Sequence, residues 1–574
     1  MTTKDTENNE RARPDNTITN PANITQSLGV PTVAGGLFRP EGGARDLKDN
    51  QCYAVQNLRP WQGVLTTRPG RQAFGLQVAP DEAILYLTNV RLRDLDEPVA
   101  LTISDKSVYG RYHGSDDTVG WQKIATHSTQ ALPHDTHVTT TTIKGATADE
   151  LMIATFDQVR AACYVDNIHA ATIKNLTLEG NDIKARIVRQ LNDHVILFGT
   201  NENGVPCLDR VRWGDRSDPL NFDEEGTTAD FVDLNSVNSI AQGYGEIVAA
   251  EPLQTPQGDV MIIYQEWGVH VMQWSGGKDI FSFRRILSTE GACSPKSVVP
   301  ILTAEGRAHV VFGQRGIYIH KADSLSKDIS HDSIFQYMID HGVTGTNRYR
   351  IFGYDRPRDF CVNFHVAMDH DPSATWDTQA GNWEDYPTSA MTWDASEPNT
   401  VVSFNYAENT WTLLTEPDSI LCGITRSVRK HSFQAGVTMD EVLYGTNDGW
   451  ILKDEVNTGY DRTTNITSML ETKEFVNFDP NVSWLKKGRL QFVTVEAKGS
   501  GQMTIQVAFD GGDWNNYRTV TLASAWGLYS IWPNTSCEFF QIKVQCTNYE
   551  DGGTQPSYMT IKQILRGMIP GTER

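Results

Sequence analysis

His309-Val310-Val311-Phe312-Gly313-Gln314-Arg315-Gly316-Ile317-Tyr318-Ile319-His320 is an apolar run, a short turn and a second apolar run. The same plan returns in Val442-Leu443-Tyr444-Gly445-Thr446 followed by Asn447-Asp448-Gly449-Trp450-Ile451-Leu452, and its first half in His194-Val195-Ile196-Leu197-Phe198-Gly199. Asn-Asp-Gly between two β-rich runs signals a tight hairpin, because Asn and Gly tolerate the positive φ such turns need. Comparable units start near Leu101, Leu151, Val195, Met261, His309, Ile351, Val401 and Val442, at spacings of 50, 44, 66, 48, 42, 50 and 41 residues. A period of roughly 40–50 residues built from short strands predicts a β-propeller. One such sheet cannot bury both of its faces alone, so the period implies a closed ring, here of seven or eight blades. The longest gap holds the acidic loop from Trp213 to Glu225, read as an insertion or an elongated blade edge.

The remaining segments divide around this repeat. Residues 1–30 are polar and read as a flexible arm. Residues 31–80 read as an N-terminal β segment, 81–460 as the propeller, and 461–574 as a C-terminal β-domain. The last segment carries strand signals near 466–475, 489–497, 503–509, 516–522, 538–546 and 558–567, which suggests an antiparallel β-sandwich. It is expected to join 31–80 in one platform, because both lie outside the repeat. The fold class is therefore all-β.

Composition narrows the function classes. The 574 residues carry 71 acidic and 50 basic side chains, a net charge of −21. That balance argues against a grip on nucleic acid through phosphate neutralisation. No stretch reaches the roughly 18–20 uninterrupted apolar residues of a membrane helix. The N-terminus has no apolar core of the kind a secretory signal needs. The eight cysteines (52, 163, 207, 293, 361, 422, 537 and 546) form no C-x-x-C pair, and eight free thiols in a reducing cytosol are expected.

Motifs of chemistry are missing. There is no phosphate-binding loop, no H-E-x-x-H and no nucleophile elbow. No cofactor, metal or catalytic residue is assigned, and the chain is expected not to be an enzyme. His309 and His320 flank a strand pair and read as blade-edge residues rather than metal ligands. The acidic cluster Asp215, Asp218, Asp223, Glu224 and Glu225 could hold a calcium ion but lacks calcium-loop spacing, and reads as a solvated turn. Asp510-Gly511-Gly512 reads as a hairpin turn. Trp267, Trp274, Trp411 and Trp450 offer a sugar platform or, by their repeat-related places, inter-blade packing. Arg59, Arg68 and Arg71 form a basic cluster in an acidic chain, suited to docking an acidic partner, or a solvated face.

A resemblance rests on an ordered series of segments. Gly35-Gly36-Leu37, then Asn57-Leu58-Arg59-Pro60, Gly63-Val64-Leu65 and Arg68-Pro69-Gly70 open it. Asp209 to Phe222, Ile262 to Met272, Glu290 to Val299, Phe312 to Tyr318 and Val402 to Trp411 follow in order. In this series, from about residue 31 to 574, the chain resembles the podovirus tail nozzle group, which includes tail tubular protein B and the packaged-DNA stabilisation proteins. The resemblance implies a β-propeller virion subunit made in the host cytoplasm and assembled in the virion tail. It implies a homohexameric tube below the portal-adaptor ring proteins, near tail fibre, spike or needle proteins. Genomic DNA would pass its bore without sequence-specific binding. Six copies at −21 each give −126, so lumen-facing loops are expected to be acidic, with Asp215 to Glu225 a candidate, and Arg59, Arg68 and Arg71 are expected at contacts with adjacent rings. The alternative is a carbohydrate-binding or carbohydrate-cleaving propeller at the tail surface, whose mark would be convergent carboxylates at the propeller's centre. A cellular propeller scaffold fits the repeat but not the ordered series.

Overall fold

The computed structural model describes residues 29–30, 37, 47, 51–61, 64–90, 99–111, 121–144, 150–165, 173–237, 243–276, 280–287, 289–323, 325–331, 333–368, 397–416, 418–429, 438–455, 460–461, 464–476, 487–547 and 558–569. The arm expected at 1–30 lies almost wholly outside them. The chain divides into two compact units, Pro69–Thr464 and a second built from Met1–Arg68 with Asn465–Arg574.

Six four-stranded antiparallel sheets and a further run of four antiparallel strands, joined by short hairpins and helical turns, make up the first unit among the described residues. The first is Ile84–Val90, Val99–Ser104, Ser107–Arg111 and Gln122–Thr126; the second is Val138–Lys144, Glu150–Phe156, Arg160–Val165 and Lys174–Asn175. The third comprises Lys184–Leu191, His194–Glu202, Val205–Trp213 and Asp230–Asp233, and the fourth Ile247–Thr255, Gly258–Gln265, Val269–Trp274 and Phe281–Leu287. Val298–Thr303, Gly306–Phe312, Ile317–His320 and Ser326–Asp328 form the fifth. Phe352–Arg356, Cys361–Val366, Thr400–Asn405 and Thr410–Thr415 form the sixth. The seventh joins Ile420–Arg429, Thr438–Thr446 and Ile451–Glu455 to a strand from the other end of the unit, Gly70–Ala73.

The first strand of each sheet packs on the first strand of the next, and the seventh sheet's first strand packs on the first sheet's. The ring is closed, a β-propeller. Most of the repeated apolar runs are second strands, which neighbouring sheets cover on both faces. His194 to Thr200, for instance, is buried without a break, as are Cys361–Val366 and Thr400–Asn405. Eight repeat starts become seven sheets because Ile351 and Val401 belong to one sheet, separated by a long insertion between its second and third strands. Gly449 in the Asn-Asp-Gly turn has φ of 79°, and a Cβ there would fall 1.8 Å from the Ala79 carbonyl oxygen. Only glycine fits that position.

Closure depends on Arg71. Residues 69–80, grouped with the N-terminal segment on sequence, belong to the propeller because Gly70–Ala73 completes its last sheet. Arg71 is buried and forms an ion pair with buried Glu416. Its guanidinium stands 4.1 Å from the centre of the Tyr444 ring, and its amide donates to Asp461 at 3.1 Å. Asp454 lies beside it at 3.8 Å and pairs with Arg356 at 2.9 Å.

The second unit contains two antiparallel sheets. Leu58–Trp61, Val64–Thr67, Tyr558–Ile569, Gly488–Ser500 and Gly527–Ile531 follow one another in the first. Cys52–Gln56, Ser468–Thr472, Phe539–Thr547, Gln502–Phe509 and Asn515–Thr521 do so in the second. Alternate side chains are buried, Val493, Val495 and Ala497 on one sheet and Met503, Ile505 and Val507 on the other. This is the period-2 pattern of a β-sandwich. Thr67 Oγ1 lies 2.9 Å from Ser468 Oγ and accepts a hydrogen bond from the Met559 amide, tying early chain to late chain.

Arg71→Ala would strand the Glu416 carboxylate, buried just after the sixth sheet's last strand, without its cation. A loss of about 3–5 kcal/mol is expected in chemical denaturation. A change below about 1 kcal/mol would remove Arg71 from this role.

Candidate functional site

The seven first strands follow one another around the ring, and residues at the entries to several of them meet. His137 precedes the second sheet, Glu246 the fourth, Lys296 the fifth, and Tyr349 and Arg350 the sixth. Arg186 lies on the first strand of the third sheet, and Asp157 in the turn after Phe156. Arg186 pairs with Asp157 at 3.2 Å and Glu246 at 2.8 Å, and donates to the Ile247 carbonyl at 2.8 Å. The Tyr349 hydroxyl lies 2.7 Å from both Asp157 oxygens. Beside this network is a cavity of about 20 Å³ lined by residues that include His134, Asp135, His137, Lys296 and Arg350. Arg350 approaches Asp135 at 3.8 Å, and His134 bonds to Glu397 at 2.8 Å.

Burial dominates the electrostatics. It pushes the Asp157 carboxyl up to about 6, against the pull of the Arg186 charge. It lowers Lys296 to about 8 and His137 to about 3. Lys296 donates to the Leu85 carbonyl at 3.2 Å and stands 4.7 Å from the Tyr86 ring centre. The site can therefore hold a proton at Asp157 and offer cationic donors to a polar group in the cavity. None of these residues is marked by a local motif. They come from separate sheets, and only ring closure assembles them.

The residues singled out on sequence fall elsewhere. Arg68 is buried and donates to Asn57 at 3.2 Å, and Arg71 closes the ring. Neither is presented for contact with an adjacent ring, since both charges are engaged inside the chain. Arg59 is half-buried on the strand Leu58–Trp61. The acidic loop joins the third and outermost strands of the third sheet, away from the first strands. Asp215 is its buried organiser, accepting from the Thr228 amide at 2.9 Å and from the Ser217 and Asp218 amides at 3.2 Å. Burial would raise its carboxyl, but these bonds and the Ser217 and Thr228 hydroxyls outweigh that and hold it well below the usual range. Glu224 pairs with Arg212 at 3.1 Å and Asp223 accepts from the Glu179 amide at 2.8 Å, while Asp218 and Glu225 are exposed. The Asp215 turn is thus built from internal hydrogen bonds rather than solvated throughout.

His309 and His320 both lie against the buried Tyr264 hydroxyl, at 2.8 and 3.0 Å. Burial lowers both, His309 to about 3. Trp411 is buried against Phe404, and Trp274 packs on Phe281. Trp450 packs on the Phe352–Tyr444 cluster. Trp267 differs: it is 40% exposed.

No family model and no curated protein matches this chain. Solved structures with the same kind of fold do. BBS1N in complex with ARL6DN is 12% identical, covering 70% of this chain and 98% of its own, with a TM-score of 0.34. Saccharomyces cerevisiae Sqt1 is 8% identical, with coverage of 71% and 96% and a TM-score of 0.35. An exo-β-1,3-galactanase from Phanerochaete chrysosporium is 10% identical, with coverage of 87% and 99% and a TM-score of 0.25. At these identities the likeness is one of fold. Solved structures of glycoside hydrolases are among those the chain is similar to, so the expectation that it is not an enzyme finds no support in them.

The buried histidines predict acid lability. His127, His137, His270 and His309 fall to between about 3 and 4 in the fold, against an ordinary value of 6.5. The unfolded chain takes up protons first, so their contribution is complete above about pH 6.5 and is lost as pH falls toward 4 and 3. Asp157 acts in the opposite sense, its contribution present below about pH 4 and lost as pH rises through about 6. Melting temperature should fall steadily from pH 6.5 to 4, and His137→Gln with His309→Gln should flatten that fall. An unchanged slope would contradict the assignment.

Proposed function

We propose that the chain is a virion structural subunit of the tail-nozzle type, six copies of which form a tube that retains packaged DNA and conducts it during ejection. The observation that supports this is the ordered series of resembling segments and its spread through the fold. Asn57 to Gly70 runs from the strand Leu58–Trp61 to the start of the closing strand. Asp209 to Phe222 supplies the third sheet's Val205–Trp213 strand and the Asp215 turn. Ile262 to Met272, Glu290 to Val299, Phe312 to Tyr318 and Val402 to Trp411 fall on the fourth, fifth and sixth sheets and their connections. The resemblance therefore follows both units rather than one local motif. It also falls on residues that build the ring, Arg212, Asp215 and Trp411 among them, all buried.

Electron microscopy of the chain mixed with its portal-adaptor ring proteins tests the reading. Six-fold rings of six times 64.0 kDa, seated on the adaptor, are expected. A chain that stays monomeric and leaves the adaptor bare would defeat it.

A second reading, a carbohydrate-cleaving propeller, is favoured by one observation. Asp157 and Glu246 converge on Arg186 at the axis, with Asp135 close enough to act on Asp157, whose carboxyl is raised to about 6. A carboxyl in that range can give and take protons near neutrality. On this reading Asp157→Asn lowers release of reducing sugar from polysaccharide by roughly 10²–10⁴-fold. Equal release by the variant and the wild type would exclude Asp157 from the chemistry.

A further inference from the structure

We propose that the cleft between the fourth and fifth sheets binds one sugar residue of a glycan. The site stands apart from the axis and is compatible with either reading of the chain. Trp267 sits in the turn between the second and third strands of the fourth sheet, and Arg315 in the equivalent turn of the fifth. The Arg315 guanidinium stands over the Trp267 indole, 5.2 Å from the ring centre, and covers that face. Behind Arg315 is a cavity of about 30 Å³ walled by Glu290, Gln314, Tyr318 and Asp328.

Three features of the wall are those of a receptor. Glu290 Oε2 is buried and takes no hydrogen bond among the described residues. A buried carboxylate oxygen without a donor is costly, and a ligand hydroxyl would relieve it. Two glycines close the floor tightly: a Cβ on Gly316 would lie 2.8 Å from the Asp328 carboxylate, and one on Gly291 would lie 2.0 Å from the Gln265 carbonyl oxygen. The Tyr318 hydroxyl is already engaged, donating to the Gly291 carbonyl at 3.0 Å, which fixes that wall.

Charge and shape select the ligand class. An anion would meet Glu290 and Asp328, and an ammonium group would meet Arg315. A neutral polyol offers donors to the carboxylates and an acceptor to the guanidinium together. A cavity of this volume takes a hydroxyl pair or one hydroxymethyl group rather than a whole ring. The ring itself would lie outside, with its C–H edge against the part of the Trp267 indole that Arg315 leaves exposed. Trp274, Trp411 and Trp450 pack within or between sheets, so this role falls to Trp267.

The test is saturation-transfer NMR and calorimetry on the full chain with methyl glycosides of galactose, glucose, mannose and rhamnose. At least one should bind, with signal transfer strongest at ring C–H protons. Trp267→Ala and Glu290→Gln should each weaken it about tenfold or more, with melting temperatures near the wild type. Trp526→Ala, at an exposed tryptophan of the other unit, should leave binding unchanged. No binding of any glycoside by the wild type, or binding that survives both cleft variants, would overturn the proposal.

Discussion

Ring closure by a four-residue strand is the constraint on which the propeller depends. Gly70–Ala73 supplies the fourth strand of the seventh sheet, so the start and end of the unit are joined by a ladder rather than by covalent continuity. Without it Ile451–Glu455 would be an exposed edge, with unpaired backbone donors and acceptors. Arg71 adds a charge to that ladder. Its pairing with Glu416, stacking on Tyr444 and bond to Asp461 tie the strand to three separated parts of the chain. A buried pair of this kind favours the one register in which both charges are met, because any slip would bury them apart.

The consequences reach the axis. Only a closed ring brings the entries to the first strands together, and with them Arg186, Asp157, Tyr349 and Glu246. The same burial that stabilises the apolar sheets then shifts the polar groups caught between them. Asp157 rises, while His137 and Lys296 fall. The cleft at Trp267 and Arg315 follows the same logic further out, since equivalent turns of neighbouring sheets meet there. Both places are products of packing sheet on sheet.

Much of the architecture was legible in the sequence. Runs such as Val195 to Phe198 and Val310 to Phe312 are continuous and apolar because second strands are covered on both faces, and their spacing reports one sheet each. The alternation in Thr504 to Phe509 likewise reports a sandwich strand with one buried face. The strand pattern of the last hundred residues was visible apart from Gly527–Ile531 and Thr535–Cys537, which are too short and polar to stand out.

What the sequence by itself determined is the all-β class, the repeat and the turns, because these depend on local periodicity and on glycine or asparagine at positive φ. The tertiary structure alone decided that two repeat starts share one sheet, that Arg71 closes the ring instead of docking, and that Trp267 differs from Trp411. It also decided that Asp157 and Arg186 meet. Partners far apart in the chain leave no mark on local pattern. Whether a charge is buried or exposed depends on which distant strand arrives to cover it.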